Sequence, residues 1–214
     1  MELLIKLILS YLLGSVSGSI LMGKLKGVDI REMGSGNAGG TNAFRSMGAI
    51  FAVGVMFIDI LKGFIAVKFI PSMNLGILAE NIMDIELLYI ICSIGVVLGH
   101  VYPVYYRFTG GKGAGTMIGV LAALFPFALV ICLIFWFVIF VFTGYVGLST
   151  IVASIILPIS AAFYYEGGLG TPFGIFTIII SLFIIFTHRS NISRMIAGNE
   201  NRFEKAMIFR KKSD

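Results

Sequence analysis

The sequence predicts an all-α polytopic membrane protein, and three observations support that prediction. Hydrophobic residues make up 58% of the 214 residues and charged residues only 13%, about half the charged share of a typical globular domain. The mean hydropathy is +0.99. The few bases gather in short segments between long apolar stretches. So little polar surface excludes a soluble nucleic-acid binder, a secreted disulfide scaffold and a disordered linker.

Four segments are apolar for long enough to cross a hydrocarbon core about 30 Å thick. They run from Leu3 to Gly23, Met47 to Ile70, Leu87 to Tyr106 and Pro172 to Thr187. The first is too long and too uniform for a cleavable signal and has no basic start. We therefore expect it to be a membrane span whose N-terminus lies outside.

The distribution of positive charge predicts the orientation. Of the 16 Lys and Arg residues, 13 lie in three segments: Lys24 to Arg45, Arg107 to Lys112, and Arg189 to Lys212. The connection from Pro71 to Glu86 has no base but carries Glu80 and Asp84, and the connection near Glu166 also lacks bases. The positive-inside rule places the three basic segments in the cytoplasm and the other two connections outside.

The stretch from Ala114 to Tyr165 contains no charge and is too long for one crossing. As a helix its 52 residues would extend about 78 Å. It begins inside and ends outside, so the number of crossings is odd, and three short spans fit with breaks near Phe125-Pro126 and Thr143-Gly144. The prediction is seven transmembrane helices in a single domain, residues 1–214, with a cytoplasmic, water-exposed basic tail from about residue 199. Five spans with a re-entrant segment are the alternative.

The first cytoplasmic loop has the composition of an anion site. Its glycines let backbone amides approach a phosphate, Ser, Asn and Thr add neutral donors, and arginine adds a planar fork. The G-x-G-x-x-G spacing alone is a weak signal, because no βαβ unit flanks it here. A simple glycine-rich turn is the alternative. The candidate binding residues are Gly34, Ser35, Gly36, Asn37, Thr41, Asn42 and Arg45.

The second loop contains Gly110-Gly111-Lys112-Gly113 directly before an apolar helix. Amides at a helix N-terminus with a lysine above them are typical of a phosphate cradle. The spacing is not that of a Walker A loop, which places Ser or Thr after the lysine. His100, at the end of the preceding span, is expected to be a structural histidine.

The third segment places His188, Asn191 and Arg194 at i, i+3 and i+6, on one face if the helix continues past the membrane. Glu200 follows. A juxtamembrane basic segment that attracts anionic lipid would explain Arg189, Lys211 and Lys212, but it would not require the histidine or the asparagine.

Other ionisable and reactive residues are predicted to be structural. Asp59 and Lys62 lie in the middle of a span at i, i+3, where we expect a mutually neutralising pair beside the site. Cys92 and Cys132 lie far apart in apolar stretches and are typical of small buried hydrophobes. The cytoplasmic loops contain no acidic cluster suited to Mg²⁺, so we expect neither a metal nor a cofactor.

Taken together, the three loops resemble the bacterial acyl-phosphate:glycerol-3-phosphate acyltransferase family. The resemblance covers nearly the whole chain and departs from the family pattern at Leu21, Gly40 and Gly115, where no donor or charge is lost. The motifs that match, in order, are Gly34-Ser-Gly-Asn-x-Gly-x-Thr-Asn-x-x-Arg45, His100-x-x-Pro with Phe108-x-Gly-Gly-Lys-Gly113, and His188-x-x-Asn-x-x-Arg-x-x-x-Gly-x-Glu200.

The resemblance implies a bacterial inner-membrane enzyme that faces the cytoplasm and transfers a fatty acyl group from acyl phosphate to the 1-hydroxyl of sn-glycerol 3-phosphate. It implies catalytic roles for Ser35, Arg45, Lys112, His188 and Asn191. Lys112 and the surrounding glycines would hold glycerol phosphate, Arg194 would bind substrate, and Glu200 would brace the third segment.

Two other functions fit parts of the sequence. A transporter or exchanger of organic phosphates would also use basic glycine-rich loops, although its polar residues would lie near the bilayer midplane. A lipid-binding scaffold would not need the His188–Asn191 face. As partners we expect membrane lipid and the two phosphate substrates, no nucleic acid, and a monomer.

Overall fold

The computed structural model describes residues 1–75 and 84–209. Within these ranges the chain is helical and contains no strand. Glu80, predicted in an outer connection, and Lys211 and Lys212, predicted in the tail, lie outside the described residues. The α-helices are α1 Glu2–Gly14, α2 Gly18–Leu25, α3 Gly40–Met47, α4 Ala49–Phe69, α5 Ile85–Val101, α6 Ala114–Leu124, α7 Pro126–Thr143, α8 Val146–Tyr164, α9 Pro172–Thr187 and α10 Arg189–Ile196.

The chain forms two compact units, residues 1–126 and residues 127–214, and each is described by itself. In residues 1–126, α5 packs along α1, and α4 packs along α6. Gly63 of α4 and Gly119 of α6 leave no room for a Cβ between these helices, because each faces the other helix's backbone. Small residues at such positions allow the close helix packing that is typical of membrane proteins.

The first predicted span is broken into two helices. The axes of α1 and α2 differ by 41°. Ser17 adopts an extended conformation between them and caps α2, because its hydroxyl accepts a hydrogen bond from the Ile20 amide at 3.5 Å. The sequence Gly14-Ser15-Val16-Ser17-Gly18 favours such a break, since Ser and Gly compete with helix continuation.

The uncharged stretch folds into three helices, α6, α7 and α8, with breaks at the predicted places. Phe125 leaves the helical conformation immediately before Pro126. Gly144 has φ +72°, a left-handed conformation that favours glycine and ends α7. Helix α6 has only 11 residues, about 16 Å in length. It begins beside the middle of α4. This position is shown by Gly115, where an added Cβ would lie 3.5 Å from the Cβ of Asp59.

Among the described residues, four helices are long and apolar enough to cross a membrane, namely α4, α5, α7 and α8. The number becomes six if the bent pairs α1–α2 and α9–α10 each count as one span. The chain is therefore all-helical with four to six apolar candidate spans, and the number of crossings stays a prediction.

The C-terminal segment up to residue 209 is more firmly attached than a water-exposed tail. The Phe203 amide donates to the Gly144 oxygen at 2.9 Å, and the Ile208 amide donates to the Val141 oxygen at 3.0 Å. The Arg202 guanidinium donates to the Thr143 oxygen at 3.2 Å. Carbonyls at the end of a helix lack intrahelical partners, so the tail satisfies those at the end of α7. Most side chains of residues 201–209 are nevertheless exposed, as expected for a basic tail.

Candidate active site

The first loop lies between a short 3-10 helix, Ile30–Glu32, and the start of α3. Asn42, in the first turn of α3, folds back and organises this loop. Its Oδ1 accepts a hydrogen bond from the Ser35 amide at 2.8 Å. Its Nδ2 donates to the oxygens of Ile30 at 3.0 Å and Met33 at 2.9 Å. Both amide protons are therefore used by the loop, and Asn42, predicted to bind substrate, has the contacts of a bracing residue.

Two glycines determine the backbone conformation of this loop. Gly34 has φ +56° and Gly36 has φ +71°. A Cβ at Gly34 would collide with the Asn42 side chain, so glycine is required there for both conformation and space. Of the seven predicted binding residues, Gly34 and Ser35 are exposed and Asn42 is buried. The remaining four are partly exposed: Gly36, Asn37, Thr41 and Arg45.

An ion pair that the sequence analysis missed anchors the base of the loop. Arg31 binds the Asp29 carboxylate through Nε at 3.0 Å and Nη2 at 2.6 Å. Its Nη1 donates to the Tyr106 oxygen at 3.3 Å and so links the first loop to the second. The side-chain hydrogen bond from Arg31 lowers the pKa of Asp29, and a backbone hydrogen bond adds to the effect. The D-x-R spacing within a basic loop was the signal available in the sequence.

The second loop is held by backbone bonds to the end of α5. The Gly110 amide donates to the Val101 oxygen at 3.2 Å, and the Gly111 amide donates to the His100 oxygen at 3.1 Å. Gly113 adopts a left-handed conformation, φ +93°, and precedes the first residue of α6. Lys112 between them is partly exposed.

The two glycine-rich loops meet in residues 1–126. A Cβ at Gly111 would lie 3.0 Å from the oxygen of Ala38 in the first loop, and it would collide with the His100 ring. Asp59 and Lys62 lie next to that ring: the lysine Nζ is 3.0 Å from the aspartate Oδ1, and the His100 Nδ1 is 3.4 Å from the same atom. His100, Asp59 and Lys62, which were predicted to be structural, thus lie next to the second loop.

In residues 127–214, His188 lies at a 52° bend between α9 and α10. Its backbone is not helical (φ −93°, ψ 8°), so the expected continuous helix is interrupted there. The Nδ1 atom lies 2.8 Å from the Ile184 oxygen, which can only accept a hydrogen bond. The neutral ring therefore carries its proton on Nδ1 and its lone pair on Nε2.

Glu200 joins the other two predicted residues of this segment. Its Oε1 accepts from the Asn191 amide at 2.9 Å, and its Oε2 accepts from the Arg194 Nε at 2.6 Å. The Glu200 side chain is 1% exposed. Gly147 of α8 packs against Asn191 with no room for a Cβ, a contact that no sequence pattern indicates.

Arg189 and Arg194, the two arginines near His188 in the sequence, each have a partner within the same unit. The Arg189 guanidinium lies 4.4 Å from the centre of the Phe186 ring and donates to the Phe186 oxygen at 3.1 Å. The Arg194 guanidinium binds Glu200. The described residues hold no group of three or more His, Cys, Asp or Glu side chains arranged for a metal ion.

The sequence and the fold are similar to those of known enzymes. A profile of the family described as "Glycerol-3-phosphate acyltransferase" matches residues 4–198. The glycerol-3-phosphate acyltransferase of Aquifex aeolicus is 40% identical over 205 residues, which cover 95% of this chain and 100% of that protein. The enzyme of the same name from Fusobacterium nucleatum is 35% identical over 199 residues, with 92% and 96% covered.

Two solved structures are similar over 95% of this chain and 96% of theirs. Both are of PlsY, described as an integral membrane glycerol 3-phosphate acyltransferase. The glycerol 3-phosphate form has a TM-score of 0.81 and 36% identity. The lysophosphatidic acid form has a TM-score of 0.77 and 35% identity.

Proposed function

Because this chain belongs to the glycerol-3-phosphate acyltransferase family and is an integral membrane acyltransferase, we propose that its acyl donor is an acyl phosphate. The acyl group is transferred to the 1-hydroxyl of sn-glycerol 3-phosphate, and the products are lysophosphatidic acid and inorganic phosphate. The observation that carries the proposal is the contact between the two glycine-rich loops at Ala38 and Gly111. Two adjacent anion loops suit a reaction in which both substrates carry phosphate.

The chemistry requires no covalent enzyme intermediate. The hydroxyl oxygen of glycerol phosphate forms a bond to the acyl carbon, and the bond between that carbon and the phosphate oxygen breaks. An acyl phosphate is a mixed anhydride, so its phosphate is a good leaving group. We assign the hydroxyl proton to a phosphate oxygen of the substrate, whose basicity is close to that of an imidazole. His188 then serves to orient a substrate rather than to remove the proton.

We propose roles for the remaining residues from their motifs and contacts. Ser35 and Arg45 bind and polarise the acyl phosphate. Lys112 and the Gly113 amide at the start of α6 bind the glycerol phosphate anion, in a loop whose shape Gly110 and Gly111 set through their backbone hydrogen bonds to the end of α5. Asn191 and Arg194, both held by Glu200, bind substrate in the third segment.

The proposed topology is seven crossings of the bacterial inner membrane, with the N-terminus outside and the three motifs facing the cytoplasm. The position of α6 supports it. A helix of 11 residues, about 16 Å, is too short for a full crossing but sufficient for half of one. Because α6 begins beside the middle of α4, it has only the outer half of the bilayer left to cross. All the residues that are given a role here belong to one chain, and we propose that the enzyme is a monomer.

Purified protein in detergent tests the function. Phosphate should be released from acyl phosphate only when glycerol phosphate is present, and lysophosphatidic acid should form in equal amount. Glycerol phosphate counterflow in vesicles without acyl transfer would instead indicate an exchanger. Absence of both activities from folded protein would indicate a lipid-binding scaffold.

The Lys112→Ala variant tests the substrate assignment. Loss of one charge–phosphate contact costs on the order of 2 kcal/mol, so the KM for glycerol phosphate should rise about thirtyfold while that for acyl phosphate changes little. The matched control is Lys68→Ala, which removes an exposed lysine near the C-terminal end of α4. An unchanged KM for glycerol phosphate in the Lys112 variant would contradict the assignment.

A further inference from the structure

We propose that the buried pair Asp59–Lys62, acting through His100, positions the Gly110–Gly113 loop for glycerol phosphate. The three side chains are positioning residues, because they contact the loop and the helix break rather than a substrate. The inference rests on the proposed function, in which this loop binds glycerol phosphate.

The pair first holds the break in the first span. Lys62 Nζ donates to the oxygens of Gly14 at 2.8 Å and Val16 at 2.6 Å, at the C-terminal end of α1. Asp59 Oδ1 accepts from the Gly18 amide at 3.2 Å, at the first residue of α2. A cation at a helix C-terminus and an anion at a helix N-terminus each oppose the partial charge of the helix end. The C-terminal end of α1 and the N-terminal end of α2 are thus attached to neighbouring turns of α4.

The same carboxylate oxygen faces His100. It lies 3.0 Å from Lys62 Nζ and 3.4 Å from the His100 Nδ1, a close approach without hydrogen-bond geometry. The exposed fractions of Asp59, Lys62 and His100 are 1%, 3% and 3%. Burying an ion pair is costly, and an apolar pair of the same size would often be as stable. A positional role for the charges accounts for a pair that stability alone does not require.

His100 transmits this position to the loop in two ways. Its carbonyl accepts the Gly111 amide at 3.1 Å, and its ring packs so closely on Gly111 that no Cβ fits between them. The Ala38 oxygen of the first loop is also near, 3.0 Å from where that Cβ would be. Gly111 therefore packs against both the histidine and the first loop, and Lys112 is the next residue in the chain.

The end of the loop that leads into α6 lies beside the same aspartate. Two residues after Gly113, a Cβ added at Gly115 would meet the Asp59 Cβ at an ordinary van der Waals distance of 3.5 Å, so the start of α6 lies close to this aspartate. Gly63 and Gly119 fix the rest of α6 against α4. Both ends of the loop thus lie beside the Asp59–His100 contact, and a shift of the aspartate or of the histidine would displace Lys112 and the start of α6.

The first variant is His100→Phe, which keeps a ring but removes the nitrogen that faces Asp59. A misplaced binding loop weakens the binding of one substrate, so the KM for glycerol phosphate should rise about tenfold while kcat and the KM for acyl phosphate change less than about twofold. His100→Asn carries an amide near the position of Nδ1 and should recover part of the loss.

The matched control is Lys6→Met. Lys6 is also buried in residues 1–126, pairs with Glu2 at 2.6 Å and donates to the Pro71 oxygen at 2.6 Å. It has the burial and the partners of a structural lysine, and these two partners lie outside the second loop. Its loss should lower the melting temperature and leave both KM values unchanged.

A second measurement keeps the inference testable if the histidine variants do not fold. Asp59→Asn with Lys62→Met removes both charges and leaves no unpaired ion. Hydrogen exchange of the peptide covering residues 108–116 should speed up about tenfold relative to wild type, whereas the Lys6→Met variant should match wild type there.

The outcomes separate the inference from the proposed function. A wild-type protein without turnover would overturn the proposed function, yet the exchange measurement would still decide whether Asp59 and Lys62 hold the loop. Active His100→Phe with an unchanged KM for glycerol phosphate, or with both KM values raised equally, would overturn the positioning role. So would equal loop exchange in the double variant and in Lys6→Met.

Discussion

At the scale of single residues, His188 is the side chain whose protonation is best defined. Its Nδ1 donates to the Ile184 oxygen, which leaves the Nε2 lone pair as the only basic site on the neutral ring. An imidazole fixed in this way is equipped to accept a proton or a hydrogen bond at Nε2. The proposed reaction uses it only for a hydrogen bond, because a substrate phosphate takes the proton.

The His188→Gln variant distinguishes these roles. Glutamine keeps hydrogen bonding but has no basicity, so we expect kcat to fall less than about a hundredfold, below 3 kcal/mol. Initial rates at saturating substrates, with binding of both substrates checked separately, provide the measurement. A loss of more than about a thousandfold in a folded, substrate-binding variant, roughly 4 kcal/mol, would make His188 the general base.

Asp29 provides a second prediction at this scale, which concerns pH. Its pKa is lowered in the folded protein, mainly by the side-chain hydrogen bond from Arg31. A carboxyl with a depressed folded pKa stabilises the fold above its unfolded pKa, near 4, and loses that contribution as the pH falls through the folded pKa. The pair is partly exposed, so its contribution at pH 7 is about 0.5 kcal/mol.

Asp29→Asn should therefore lower the melting temperature by about 1 to 2 °C at pH 7, and the difference from wild type should shrink toward pH 3. Thermal unfolding in detergent at both values measures it. Glu32→Gln, a change at a neighbouring exposed carboxyl, is the control. A difference that grows as the pH falls would contradict the sign.

At the scale of elements, α10 depends on a residue outside its own helix. The eight residues Arg189–Ile196 are too few to be stable as an isolated helix. Glu200 binds two of them, Asn191 and Arg194, and is almost completely buried. The carboxylate therefore fixes both the helix and the direction of the asparagine amide.

Glu200→Gln keeps an acceptor for Asn191 but loses the charge opposite Arg194. We expect a loss of about 1 to 2 kcal/mol, or roughly 2 to 8 °C in melting temperature, together with lower kcat because Asn191 is held less firmly. The exposed Glu204 of the same tail is a suitable control, since Glu204→Gln changes charge equally. Identical melting curves for the two variants would show that the buried carboxylate has no bracing role.

At the scale of the whole molecule, the proposed orientation has a direct test. Ser46, in α3, and Ser72, beyond the end of α4, lie on opposite sides of the predicted membrane. Single cysteines at these positions, with Cys92 and Cys132 replaced by alanine, are treated on intact cells with an impermeant thiol reagent. Only the Ser72→Cys variant should be labelled. Labelling at Ser46→Cys, with or without Ser72→Cys, would contradict the topology.

Local chemistry determined how much could be predicted. The breaks at Pro126 and Gly144 were predictable, because proline and a left-handed glycine act on their own neighbours. The bend after Gly14 was only partly predictable, because the serines and glycines there favour a break but the residues that hold it, Asp59 and Lys62, are more than 40 positions away. That pair was predicted as such, and the ion pair between its members is present.

The site shows the same division. Sequence motifs selected the loops but did not separate residues that face substrate from residues that hold the loop. Asn42 has the same donors as Asn37, and only the fold reveals that its amide protons go to Ile30 and Met33. Similarly, the contact between Gly111 and His100 depends on the end of α5 approaching a loop ten residues later. Such contacts follow from packing, which no local pattern encodes.

The start of α6 beside the middle of α4 has a consequence for the solvent around the substrates. Ions of the cytoplasm screen charges on an open surface over about 8 Å at physiological ionic strength. Gly111 and Gly113 are buried, so a phosphate that enters this loop exchanges part of its hydration shell for protein dipoles. In the proposed binding mode, the attraction between Lys112 and that phosphate acts in a medium of lower permittivity than bulk water, where a single charge has a longer reach. The start of a short helix beside the middle of α4 then strengthens the attraction of one lysine for an anion.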